Sequence, residues 1–383
     1  MKIFLARPDV YLNTPDKDGR TPLSWAVVNG HEEIVKIFLE RRDATPDTAD
    51  KDGRTPLLWA AENGHEGIVK LFLGQEDAIP NLADKDGRTP LLWAAANGRE
   101  GVVKVLLERE DVTPNTADKD GRTPLMWAAG NGHRGVTKVL LEREDVDPDT
   151  VDKDSQTPLL WAAGNGHSGI VKVLLERETV TPRTADNDGR TPLLWAAGNG
   201  HRGVVEILLE REDVTPDTPD NDGRTPLSWA AGNGHRDIVK ILSERGNVTP
   251  NTADKNNQTP LLQAAINRRR NVVQALLGLE GLTPAAPDQS CRPPLSPDVE
   301  TRHISVVEVL PDQCRTSEDI VMIDLTGQTA LAGSSIEQNR GALERPFEDQ
   351  HFIPQTAGIN CSTGLLADPS GLSQRPFKRP RRS

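Results

Sequence analysis

Cysteine is missing from the first 290 residues of this 383-residue chain; its three copies are Cys291, Cys314 and Cys361. That stretch therefore has no disulfide framework and no thiol nucleophile, which suits a reducing compartment. Long apolar runs are also missing. The opening Met1-Lys2-Ile3-Phe4-Leu5-Ala6 holds only a short apolar run, broken at Arg7-Pro8-Asp9. It is too short for a secretory signal, and nothing in the chain is long enough to span a bilayer, so the protein is expected to be intracellular. Positive charge is in deficit. Residues 1–286 carry 35 Lys+Arg against 44 Asp+Glu, a balance of −9; the remainder carries 10 against 13, a balance of −3, and together they give −12. Phosphate backbones are bound through Lys and Arg, so a nucleic-acid partner is not expected. No phosphate loop and no convergent Ser/His/Asp set is present. The sequence gives no support for catalysis, a cofactor or a small-molecule substrate.

What the chain does have is a period. Its seven tryptophans, Trp25, Trp59, Trp93, Trp127, Trp161, Trp195 and Trp229, each follow the last by 34 residues. Thr-Pro pairs keep the same beat from Thr21 to Thr259. A fixed period of this size means one small supersecondary unit copied along an axis, which builds a long surface rather than a closed cleft.

One unit shows how each copy folds. Asp86-Gly87 forms a tight turn, since Gly accepts the positive φ such turns need. Thr89 caps a helix whose first residue is Pro90, where the missing N–H costs nothing. Leu91, Ala94 and Ala95 share one apolar face. Asn97-Gly98 ends the helix through a left-handed Gly. Val102-Val103-Lys104-Val105-Leu106-Leu107 starts a second short helix. Neither helix is long enough to hold alone in water, so the array must fold together.

Turn, Thr-Pro-Leu, small-residue helix, Asn-Gly-His and Ile-Val-Lys-x-x-Leu together resemble the ankyrin repeat, over about three quarters of the chain. The resemblance implies an all-α ankyrin-repeat solenoid of about 8.5 units: a half repeat at 1–15, eight repeats to 286, and a disordered tail at 287–383. Two departures stand out. The family's usual His after Thr-Pro-Leu is replaced by Ser24, Leu58, Leu92, Met126, Leu160, Leu194, Ser228 and Leu262. Its hydrogen bond to its own turn is expected to be absent. The period is one residue longer than usual, and the addition falls in segments such as Asp111-Val112-Thr113-Pro114-Asn115. It is expected to lengthen a loop and leave the core unchanged. The eighth unit is worn: Asn256-Asn257 stands for Asp-Gly, Gln263 for Trp, and Arg268-Arg269-Arg270 for Gly-His-x, as suits a polar C-terminal cap. Met1–Leu5 aligns with Val35–Leu39, so the chain opens on a second helix. The homogeneous repeats and this mid-unit start resemble the C-terminal arrays of fungal NACHT-type receptor-like proteins. That likeness implies, as an alternative to a free-standing scaffold, the repeat or sensor portion of a signalling receptor.

Six histidines recur at one position: His31, His65, His133, His167, His201 and His235. Stacked helices lie roughly 10 Å apart, whereas zinc ligands sit within about 2 Å of the metal. One His per layer cannot converge, so the spacing predicts packing rather than a metal site. The tryptophans point either to the concave front, as partner anchors, or into the seam between layers, where each meets its own copies. The ankyrin resemblance implies partner contacts at the turn tips and the front of the first helix. The candidate residues are Arg20, Arg54, Arg88, Arg122, Arg190 and Arg224, with Trp59, Trp93, Trp127, Trp161 and Trp195. One position drifts in charge, from Glu32, Glu66 and Glu100 to Arg134, Ser168, Arg202, Arg236 and Arg270.

Beyond Pro284 the period stops and Pro, Ser and Gln mark a segment that buries little. Within it Ile320, Val321, Ile323 and Leu325, with acidic neighbours, resemble a SUMO-interacting motif, which would add as a strand to a partner's sheet edge. Lys378, Arg379, Arg381 and Arg382 resemble a nuclear import signal, placing the protein in the nucleus if it operates and in the cytoplasm otherwise. The sequence as a whole predicts a non-enzymatic protein-interaction scaffold.

Overall fold

A computed structural model describes residues 13–41, 43–279 and 281–282. Residues 1–12 of the opening half repeat, the SUMO-type segment and the basic C-terminal cluster lie outside the described residues. Within them are sixteen helices of seven or eight residues. They run in pairs: α1 Pro22–Val28 and α2 Glu32–Leu39, α3 Pro56–Asn63 and α4 Glu66–Leu73, α5 Pro90–Ala96 and α6 Glu100–Leu107, α7 Pro124–Gly130 and α8 Arg134–Leu141. The series continues with α9 Pro158–Gly164 and α10 Ser168–Leu175, α11 Pro192–Asn199 and α12 Arg202–Leu209, α13 Pro226–Asn233 and α14 Arg236–Ser243, α15 Pro260–Ile266 and α16 Arg270–Leu277.

The same local chemistry starts each pair. The Thr21 hydroxyl accepts the Ser24 N–H at 3.2 Å, Thr55 accepts that of Leu58 at 3.3 Å, and the pattern repeats to Thr259 and Leu262. Pro holds the first helical position each time. After the first helix the chain reverses through a left-handed residue, such as Gly64 at φ 82°. The eighth unit uses Arg268 at φ 58° in its place. Such a conformation costs a non-glycine residue of order 1–3 kcal/mol, so the neighbouring layer must enforce it.

Each first helix packs against its own second helix and the first helices of adjoining units; second helices stack likewise. Leu91, Ala94, Ala95, Val102, Val103 and Leu106 of the third unit are buried, and their copies extend one core along the array. Fully burying one Leu or Val contributes roughly 1.5–3 kcal/mol, which only neighbouring units can supply. The lengthened loop departs from expectation. Val112, Val146, Val180 and Val214 are buried in the core cluster, so the added segment widens the hydrophobic interior rather than sparing it. Its β-branched residue faces inward while Thr113 and Asn115 stay outside.

Candidate interaction face: the turns and first helices

An aspartate organises each turn, buried in all but the exposed Asp16 and the half-buried Asp118. Asp84 Oδ1 accepts the backbone N–H groups of Asp86 and Arg88, both at 2.9 Å. Its Oδ2 accepts the Trp93 indole N–H at 3.0 Å and the Arg88 Nε–H at 2.9 Å. The Trp-to-Asp bond spans nine residues and occurs for every tryptophan. It measures 2.9 Å from Trp25 to Asp16, 3.1 Å from Trp59 to Asp50 and 3.0 Å from Trp127 to Asp118. It continues at 3.2 Å from Trp161 to Asp152, 2.9 Å from Trp195 to Asp186 and 2.8 Å from Trp229 to Asp220. In the worn eighth unit Gln263 Nε2 makes the same bond to Asp254 at 3.1 Å. The tie from first helix to its own turn is therefore present. It is made by the residue next to the one where a His was expected.

The turn arginines lie over these rings. The Arg20 guanidinium carbon sits 5.2 Å from the Trp25 ring centre and 4.5 Å from Trp59; Arg54 sits 4.7 Å from Trp59 and 4.6 Å from Trp93. Arg122 lies 5.6 Å from Trp127 and 5.1 Å from Trp161. Arg88, Arg190 and Arg224 cover Trp93, Trp195 and Trp229 at 4.3, 4.4 and 5.6 Å. An arginine thus joins its own indole to that of the next unit in the first, second and fourth turns. A cation over a ring contributes about 0.5–2 kcal/mol, more as water is excluded. The Nε atoms of Arg20, Arg54, Arg122 and Arg224 are buried without a hydrogen-bond partner, although those of Arg20 and Arg224 lie 3.8 and 3.5 Å from Oδ2 of Asp50 and Asp254 in the next unit. Arg54 Nη1 also reaches Glu62 at 3.3 Å; burial pushes the Glu62 carboxyl up, and the guanidinium opposes that rise.

The indoles occupy the seam. Trp59, Trp93, Trp127 and Trp161 are between 5% and 8% exposed, Trp195 and Trp229 are half-buried, and Trp25 at the first unit is 42% exposed. Trp127 and Trp161 approach with ring centres 5.9 Å apart. A Cβ added at Gly130 would stand 2.4 Å from Trp161, which explains the missing side chain there.

Further bonds tie one turn to the next. The Lys85 N–H donates to the Asp52 carbonyl at 3.0 Å and Lys119 to Asp86 at 2.8 Å, with equivalents from Lys51 to Lys255. The recurring histidines act in the same direction. Nε2 of His133, His167 and His201 lies 3.0 Å from the Ala96, Gly130 and Gly164 carbonyl oxygens, and that of His235 2.9 Å from Gly198. A carbonyl only accepts, so Nε2 carries the proton. Where the histidine is replaced, the bond persists: Arg99 Nε donates to Glu62 at 3.0 Å and Arg269 Nε to Gly232 at 3.1 Å. Burial holds the His133 and His201 pKa below the ordinary imidazole value. Among the described residues no three His, Cys, Asp or Glu side chains are grouped to hold a metal ion, and no helix is long and apolar enough to cross a membrane.

These bonds leave the tip side chains outside. Lys51, Asp52, Lys85, Asp86, Lys119 and Asp120 are exposed, as are Lys153, Asp154, Asn187 and Asp188. Sequence reasoning identified the Arg and Trp rows but missed the aspartate that binds both. Its signal was there: an Asp recurs nine residues before every Trp.

A family model of ankyrin repeats in three copies matches residues 1–84, 67–152, 137–220 and 212–288. The chain belongs to the ankyrin-repeat family, whose members generally mediate protein–protein interaction. No curated protein matches it.

Proposed function

We propose that this array is a non-enzymatic scaffold that captures a partner protein on its turn tips and the front of its first helices. One observation carries this: the tips of units one to four, six and seven are locked from within by Asp, Trp and Arg, and linked by backbone bonds to the next tip, while polar heads such as Lys85 and Asp86 remain outside. A surface already ordered loses little entropy on binding. Arg20, Arg54, Arg88, Arg122, Arg190 and Arg224 then serve a partner in two ways. They set the spacing of the tips and offer the edges of their guanidinium groups. Trp59, Trp93, Trp127, Trp161 and Trp195 form the wall behind them.

The arginines are poor test positions, because reversing their charge would also unpack the rings beneath. The exposed lysines avoid this. The full chain and its Lys51→Glu, Lys85→Glu, Lys119→Glu variant, with matching circular dichroism, should differ in protein capture. The same reversal at Lys36, Lys138 and Lys172 on the second helices should leave capture intact. Capture unaffected by the tip variant would sink the proposal.

A further inference from the structure

The charge drift falls on the first residue of each second helix. In unit order the row reads Glu32, Glu66, Glu100, Arg134, Ser168, Arg202, Arg236, Arg270. All except the half-buried Ser168 are exposed. The acidic members suit their place, since a helix N-terminus carries partial positive charge. The four arginines break that rule. Arg134, Arg236 and Arg270 form no ion pair within 4 Å among the described residues, while Arg202 reaches Glu206 at 2.8 Å. Glu66 and Glu100 hold Lys70 and Lys104, each at 2.7 Å, in exposed pairs that exchange easily. At Arg134, Arg236 and Arg270 this local cost has no ion pair among the described residues to offset it, which calls for a partner outside the chain.

Reversed, the row complements itself. When unit one faces unit eight, Glu32 meets Arg270, Glu66 meets Arg236, and Glu100 meets Arg202. At the centre Arg134 meets the uncharged Ser168. Every charged pair is opposite in sign and none is alike. Sliding the pairing by one unit either way sets Arg134 against Arg202 or against its own copy, and a parallel alignment sets like against like throughout. In the same register Glu33 falls to the unit of Arg268 and Arg269. This is the pattern of an isologous two-fold interface, in which residue i meets j and j meets i.

We infer that the partner of this row is a second copy of the chain, held antiparallel with the dyad between units four and five. Exposed ion pairs are individually weak, so the dimer is weak and sensitive to salt. Sedimentation equilibrium of the full chain at low ionic strength should show twice the monomer mass, with dissociation rising roughly tenfold or more between about 0.05 M and 0.5 M salt. Two variants test the register: Glu32→Arg, Glu66→Arg, Glu100→Arg, and separately Arg202→Glu, Arg236→Glu, Arg270→Glu. Each alone should be monomeric. Mixed, they regain opposite charges at all six outer positions and should form a heterodimer, which also shows that both are folded. A wild-type chain that stays monomeric to about 0.1 mM, single variants that still dimerise, or a mixture that stays monomeric would each overturn the inference.

Discussion

The third turn, Asp84 to Trp93, and the fifth, Asp152 to Trp161, reach one geometry with different parts. In the third, Gly87 takes the left-handed position at φ 81°, and Arg88 both binds Asp84 and covers Trp93. In the fifth, Ser155 takes that position at φ 58°, its hydroxyl donating to Asn187 Oδ1 at 2.7 Å, and a buried Gln156 stands where arginine would be. The indole-to-carboxylate bond survives, at 3.0 Å in one and 3.2 Å in the other. The aspartate and tryptophan are thus the framework of the turn, and arginine is an addition to it. The difference appears in the carboxyl group: burial pushes Asp152 above its ordinary range, only partly offset by hydrogen bonds from Gln156, Trp161 and Asp154.

Removing the acceptor tests this most severely. Asp84→Ala strands the indole, two backbone N–H groups and the Arg88 Nε–H, at a cost of about 3 kcal/mol or more. Asp152→Ala strands no guanidinium and should cost about 1 kcal/mol less. Urea unfolding followed by tryptophan fluorescence compares them, and equal losses would mean that arginine adds nothing. Converting the fifth turn into the third, with Ser155→Gly and Gln156→Arg, should stabilise the array by about 1–2 kcal/mol. It should also change the pH response. The folded Asp152 pKa is raised, so its favourable contribution is present at low pH and lost as pH rises through that value. A neighbouring guanidinium should reduce that loss, and a thermal midpoint that gains nothing toward neutral pH would refute it.

The smallest effect concerns the bond between units. His133 and His201 have folded pKa values below their unfolded ones. Their contribution is whole above the unfolded value near about 6.5 and lost as pH falls through the folded value. His133→Arg with His201→Arg copies the Arg99 and Arg269 solution. The thermal midpoint should then change little at alkaline pH and fall less on acidification than in the parent. An unchanged acid profile would show that these histidines do not set it.

Helices, caps and turns were legible because their causes are local: Thr89, Pro90 and Gly98 act within a few residues of themselves. Long-range bonds were not. The Trp93 to Asp84 bond joins a helix to a turn, and only the strict recurrence of both residues hinted at it. His133 reaches a carbonyl 37 residues back, beyond any local pattern. Val112 was misplaced because a loop with Thr, Pro and Asn reads as polar, yet Val recurs at that position at Val146, Val180 and Val214. Exchange of His for Arg at Arg99 conceals the conserved bond, since composition does not reveal that both side chains donate to the equivalent carbonyl of the preceding unit.

Each of these linking bonds reaches back by about one unit and no further. The Lys85 N–H finds Asp52, and Arg99 finds Glu62, whatever precedes or follows them. Cutting out one whole unit, or inserting another, brings equivalent donors and acceptors together again. The array can therefore grow or shrink by unequal recombination in whole steps without a change of fold. A frame-preserving indel of fewer residues has no such escape at its own site, where it shifts a donor off its acceptor, while the units beyond it keep their spacing.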